Sequence, residues 1–232
     1  MTPHNAPVRE RVSAAAMAAS GLLFVIYPAL RPFSDETSLQ GGAAFASGEW
    51  LAAHMLAMVA FTLIPLGLLG LHSTLRPTPV EHGGYWAVVL SLLGTGLALP
   101  FYCGEAYGLH AIGQQALIER NAAIIGLSTV VRSGPGLLTF ITGLLLLTTA
   151  AMIAAVAIWR SGVYGRWSGV PFAVGLAFYI PQFFGSQSMR VAHGLLVGAG
   201  SWWIAAGIWA RGTYRFERNL EGLRSIIKSP SQ

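Results

Sequence analysis

Apolar residues in this chain come in long unbroken runs rather than in alternation. Six stretches, near Val12–Leu30, Trp50–Leu71, Tyr85–Gly104, Leu137–Trp159, Trp167–Phe184 and Val191–Ala210, contain no Asp, Glu, Lys or Arg. A helix needs about 20 apolar residues to cross the hydrocarbon core of a bilayer, so each run predicts a transmembrane helix. None alternates with period two, which argues against a β-barrel. The pattern predicts one all-α domain over residues 1–232: a bundle of six transmembrane helices with a basic tail at 211–232. The first run follows Arg9 and Arg11, as a signal peptide's would. Its end, "IYPALRPFSD", offers no small-x-small cleavage site, so it reads as an uncleaved first span.

Most connections are short and predict antiparallel neighbours. Two are longer. Residues 31–49 contain Gly and Ser and predict irregular structure. Residues 105–136 contain the semi-apolar "QQALIERNAAIIGLSTVV", broken from the next run by "SGPG". That stretch predicts either a short interfacial helix between spans three and four or an extension of span three, placed to cover a site. Pro65, Pro100 and Pro181 fall inside runs, where each removes a helix hydrogen bond and favours a kink.

Composition agrees with the pattern. The chain is 54% hydrophobic and 10% charged, against about 25% charged in a soluble domain. The basic pI, near 9.8, sorts by side. With six spans, Arg9, Arg11, Arg76, Arg160, Arg166, Arg211, Arg215, Arg218, Arg224 and Lys228 share the side of the termini. Arg31, Arg120, Arg132 and Arg190 lie opposite, a ratio of ten to four. Basic residues mark the cytoplasmic side, so both termini are expected there, in a multi-pass protein of the cell membrane. The basic excess is then a topology signal and an attraction to anionic membrane lipid, with no nucleic-acid partner implied. The single cysteine, Cys103, excludes an internal disulfide.

The rare polar groups gather at the outer ends. Glu49, Trp50 and His54 open span two, and Glu105 and His110 follow span three. Gln182 and Gln187 close span five, and Arg190 and His193 open span six. Glu49 and His54 are five residues apart, as are Glu105 and His110. That puts each pair roughly 140° apart around a helix, so any site must be assembled between helices. Charged residues at helix ends also snorkel to headgroups. Glu105 directly follows an apolar run, however, and needs a partner or a proton there. Arg190, His110 and His193 are the expected partners.

Phe101, Tyr102 and Tyr107 surround Glu105, and Phe178, Tyr179, Phe183 and Phe184 mark the outer half of span five. They read either as an interfacial belt or as a pocket lining. The pocket reading makes Glu105, His110 and Glu49 the candidate catalytic groups. Trp50, Phe101, Tyr102, Tyr107, Tyr179, Gln182, Phe183 and Arg190 are then the candidate substrate contacts. An acid in apolar surroundings favours its neutral form and can exchange a proton with a lipophilic small molecule, as in isomerisation or cyclisation of a lipid or isoprenoid. An alternative uses His54, His110 and His193 as ligands to Zn, Fe or a haem, although no HxxxH or HExxH pair is present. A third reading is a small transporter or an assembly subunit without catalysis. No P-loop, dinucleotide glycine fingerprint, GxSxG elbow or CxxC pair occurs.

Overall fold

The computed structural model describes residues 6–228, with side chains over 8–214, and no strand occurs among them. Of the tail expected at 211–232, residues 229–232 lie outside the described residues. Nine α-helices are described: α1 (Ala6–Leu30), α2 (Leu39–Phe45), α3 (Gly48–Leu75), α4 (Glu81–Cys103), α5 (Leu109–Ile118), α6 (Ser128–Val131), α7 (Gly134–Ser161), α8 (Val170–Ala177) and α9 (Gln187–Lys228). Five helical segments are long and apolar enough to cross a membrane: Val8–Leu30, Gly48–Leu75, Glu81–Ile118, Gly134–Ser161 and Gln187–Tyr214. Their outward faces carry Leu22, Leu66, Leu93, Leu145, Met152 and Leu195, all exposed. A continuous exposed apolar surface of this kind suits lipid rather than water.

The run at 167–184, expected as the fifth span, is not one long helix. It forms α8, a turn at Phe178–Ile180 and a 3₁₀ turn, Pro181–Phe184. Pro171 starts α8, and Pro181, which lacks a backbone N–H, falls where the helix would continue. Eight helical residues span only about 12 Å. The segment still packs along the bundle. Near its start a Cβ on Gly169 would lie 2.7 Å from Ala155 Cα. Midway, Thr148 Oγ1 donates to Leu176 O at 3.0 Å. At its far end Tyr179 reaches Tyr27. Packing closes a ring in the order α1, α3, α4, α7, α8, α9 and back to α1.

Small residues allow that ring to close tightly. A Cβ on Gly143 would lie 2.6 Å from Gly94 O, and one on Gly94 would lie 2.7 Å from Gly143 O. Helices α4 and α7 therefore touch backbone to backbone. Phe24, Phe61, Phe172 and Tyr179 fill the centre with no exposed surface. At the end where the chain starts, Thr74 and Tyr164 share a hydroxyl hydrogen bond, and Arg211 donates to Val163 O. Burial pushes the Tyr164 phenol up to about 12 against the opposing bond from Thr74. Arg11 sits over the Trp209 ring at 5.6 Å, so α1 begins at the end toward which α9 runs.

The opposite end is capped. Helices α4 and α5 are joined by a π turn, Gly104–Gly108, into one 38-residue rod. At about 1.5 Å per residue that rod exceeds the ~30 Å hydrocarbon core. Its end, α5, packs with α2 and the 3₁₀ turn Ala122–Leu127 around Phe45, Trp50, Leu109, Ala116 and Ile125. Residues 105–136 thus extend the preceding helix to Ile118, as one of the two expected forms has it, and then form a short apolar helical stretch, Ala122–Val131.

Candidate functional site

Beneath this cap lies a cavity of about 680 Å³. One wall is charged, with Arg31, Glu36, His54, Glu105, Arg132 and Arg190. The other is apolar, with Phe101, Leu137, Phe140, Ile141, Ile180 and Phe183. At the rim Phe184 is 90% exposed. Such a cavity has the size of a small-molecule site.

The charged wall is built from the π turn outward. Leu109 N–H bonds to Gly104 O, five residues back, and within this turn the Glu105 side chain is buried. Trp50 Nε1 donates to the Glu105 carbonyl at 2.8 Å, tying α3 to the turn. Ser47 caps α3 by accepting from Trp50 N at 3.1 Å and so holds the indole in place. The Glu105 carboxylate is bound in a fork by Arg132, Nε to Oε1 at 2.5 Å and Nη2 to Oε2 at 2.9 Å. Arg132 Nη1 reaches Glu36 Oε2 at 2.5 Å, and Arg31 Nη2 reaches Glu36 Oε1 at 2.8 Å. Arg31 in turn covers the Trp50 ring at 4.5 Å. Burial works to lower the Arg132 pKa, but the bonds and attraction of Glu105, and then of Glu36, outweigh it, and the pKa is raised. Hydrogen bonds from the Thr37 side chain and backbone lower the pKa of Asp35 at the exposed rim.

His54 completes the wall. Its Nδ1 lies 2.7 Å from Trp50 O. A carbonyl only accepts, so Nδ1 carries hydrogen and Nε2 is the group that can gain or lose one. Nε2 faces Glu105 Oε2 at 3.6 Å. The imidazolium would pair with the carboxylate, and the neutral ring would present a lone pair beside the cavity. Tyr102 stands 6.1 Å away, ring to ring, and belongs to a buried hydroxyl chain. Tyr27 and Tyr179 hydroxyls are 2.7 Å apart, and Tyr179 also bonds to Tyr102.

Of the expected site residues, Glu105, His54, Phe101, Tyr102, Gln182, Phe183 and Arg190 line the cavity. Trp50 and Tyr179 support it from behind. Glu49 and Tyr107 are exposed and do not line it. His110 is held elsewhere, with Nδ1 at 3.0 Å from Phe45 O and Nε2 at 3.1 Å from Gln114. His193 Nε2 bonds to Gly175 O at 2.7 Å. The three histidines are thus held apart, and among the described residues no three His, Cys, Asp or Glu side chains gather as a metal set. The partners of Glu105 are Arg132 and His54, not Arg190, His110 or His193. Arg31, Glu36, Arg132 and Tyr27 also line the cavity. In the sequence Arg31 and Arg132 read only as topology charges. Their signal was that a buried carboxylate calls for an outer-side cation.

The fold and site define an all-helical bundle suited to a membrane, with a capped, half-charged cavity at one end. No protein-family model matches this chain, and no characterised protein or solved structure shows significant similarity to it.

Proposed function

We propose that the chain is a multi-pass protein of the cell membrane that crosses the bilayer six times, the broken segment at 167–184 serving as the fifth crossing. Both termini are cytoplasmic and the cavity lies at the outer leaflet. The closed ring of six packed segments and the ten-to-four division of basic residues support this topology.

The cavity takes a lipophilic small molecule and performs proton transfer on it, the class of chemistry that isomerises or cyclises lipids and isoprenoids. One observation carries this reading: a histidine held by Nδ1 lines a cavity that is aromatic on its other side, with its Nε2 3.6 Å from the buried Glu105 carboxylate. His54 is the proton-transfer group. Glu105, ion-paired to Arg132, acts as the fixed negative charge that steadies its protonated form. An unpaired neutral acid, the role drawn from the sequence for Glu105, fits this pairing less well. The aromatic wall would stabilise positive charge developing on the substrate.

The test is chemical identification of what the cavity holds. Protein purified in mild detergent is extracted with organic solvent, and the extract is compared by mass spectrometry with that from Ile141→Trp, which fills the cavity. A species enriched in the wild type and lost in the variant is expected. Identical extracts, matching bulk membrane lipid, would remove the basis of the reading.

A further inference from the structure

Charge and hydrogen-bond accounting along the cavity wall leaves one cation without a carboxylate and one spare hydroxyl hydrogen. Arg31, Glu36, Arg132 and Glu105 form a closed series in which each carboxylate is met by a guanidinium. Asp35 turns its carboxylate to Thr37, at 3.0 Å from the backbone N and 2.6 Å from Oγ1. Arg190 stands outside the series. It donates to two carbonyls, Phe183 O at 2.7 Å and Gly185 O at 3.4 Å, and lies 5.1 Å over the Phe33 ring. No carboxylate pairs with it among the described residues, so it brings a full positive charge to the lining.

The spare hydroxyl hydrogen comes from the tyrosines. Three phenols carry three O–H hydrogens, and the two bonds within the chain use two. Tyr179 is fully buried. Accepting from both neighbours would strand its own hydrogen away from any acceptor, a costly arrangement. The spare hydrogen therefore belongs to Tyr102 or Tyr27, and both line the cavity. Tyr102 stands on the Glu105 side. Tyr27 stands one helical turn before Arg31, and the start of α9, which carries Arg190, is tied to the same turn by Gln187 Nε2 donating to Pro28 O at 2.7 Å. An oxyanion beside Arg190 would draw the chain into one direction, Tyr102 to Tyr179 to Tyr27 to ligand.

We infer that the cavity's ligand is an amphipath with one anionic oxygen head, a carboxylate or phosphate, seated between Arg190 and Tyr27. Its apolar tail runs along Leu137, Phe140 and Ile141 and leaves past Phe184. This rests on the cavity being a ligand site, as proposed above. A guanidinium and a phenol together offer an oxyanion convergent donors, and a charge-assisted bond of this kind is about twice as strong as a neutral one.

Hexadecyl phosphate, hexadecanol and inorganic phosphate separate the contributions of head and tail. Their affinities for the purified full chain in neutral detergent are read by native mass spectrometry. Hexadecyl phosphate should bind about 10-fold or more tightly than hexadecanol, as expected for one charge-assisted contact. In Arg190→Gln the ratio should fall to about one, in Arg190→Lys part of it should survive, and Tyr27→Phe should lower it several-fold. Inorganic phosphate should not compete. Equal affinities in the wild type, or an unchanged ratio in Arg190→Gln, would overturn the head assignment. Competition by inorganic phosphate at matching concentration would overturn the amphipath in favour of a free anion. Ile141→Trp distinguishes the two levels: if it weakens both tailed probes, the cavity stands whatever the head result. If it weakens neither, the cavity reading itself fails.

Discussion

Glu105 and Arg132 hold each other in a fork, and each has a second partner, His54 for the acid and Glu36 for the base. Breaking a buried pair costs about 3–5 kcal/mol because a charge is left without compensation. Glu36 still faces Arg132 in a Glu105→Gln variant, so the lower part of that range applies. The expected outcome is a melting temperature several degrees lower in detergent for Glu105→Gln and for Arg132→Gln, with the double variant losing less than the two together. Unchanged melting in both single variants would mean the fork contributes nothing to folding. His54→Gln should behave differently. A glutamine can still donate to Trp50 O but cannot pass a proton, so melting should hold. Turnover of the cavity's substrate, once identified, should fall by about 10²–10⁴-fold, the usual effect of losing a general acid or base. Full turnover in that variant would move the chemistry away from His54. The demand of Glu105 for a partner was legible in the sequence, because it ends a long uncharged run. The partner was not. Arg132 lies 27 residues away, behind the π turn and three short helical pieces, and only their packing brings it back.

At the scale of elements, length and polarity predicted most of what formed. Five apolar runs became long helices, the third running on to Ile118 and the last to Lys228, well past the ends of their apolar runs. The run at 167–184 did not, because Pro171 and Pro181 confine regular helix to eight residues. Hydropathy counts apolar side chains and is blind to a missing N–H. The π turn at Gly104–Gly108 was equally hidden, since it depends on one additional residue rather than on composition. The contact of α4 with α7 tests the packing. Gly143→Leu would force a side chain where a Cβ alone already meets Gly94 O at 2.6 Å. Overpacking costs typically about 1–3 kcal/mol, and separating the helices would also disturb the Phe101–Phe140 stack, 4.3 Å between centroids. The variant should melt several degrees lower and bind the cavity's ligand more weakly. Wild-type melting and binding would show that α4 and α7 do not meet there.

For the whole molecule, the positive-inside pattern predicts sidedness that single cysteines can read. In a Cys103→Ala background, Gly126→Cys introduces a side chain into open space at the outer cap, and His82→Cys replaces an exposed side chain at the other end. An impermeant maleimide should label the first in intact cells and the second only after permeabilisation; the reverse order would invert the topology. The central claim, that a lipophilic molecule occupies the outer cavity, is tested most directly by photocrosslinking in native membranes. A fatty acid carrying a diazirine on its chain and an alkyne for capture is irradiated with the cells, and the modified peptides are mapped. The account predicts label on 137–141 and 180–184, the apolar wall, and its loss in Ile141→Trp. Label confined to lipid-facing positions such as Leu145, Met152 and Leu195, and indifferent to that substitution, would contradict it.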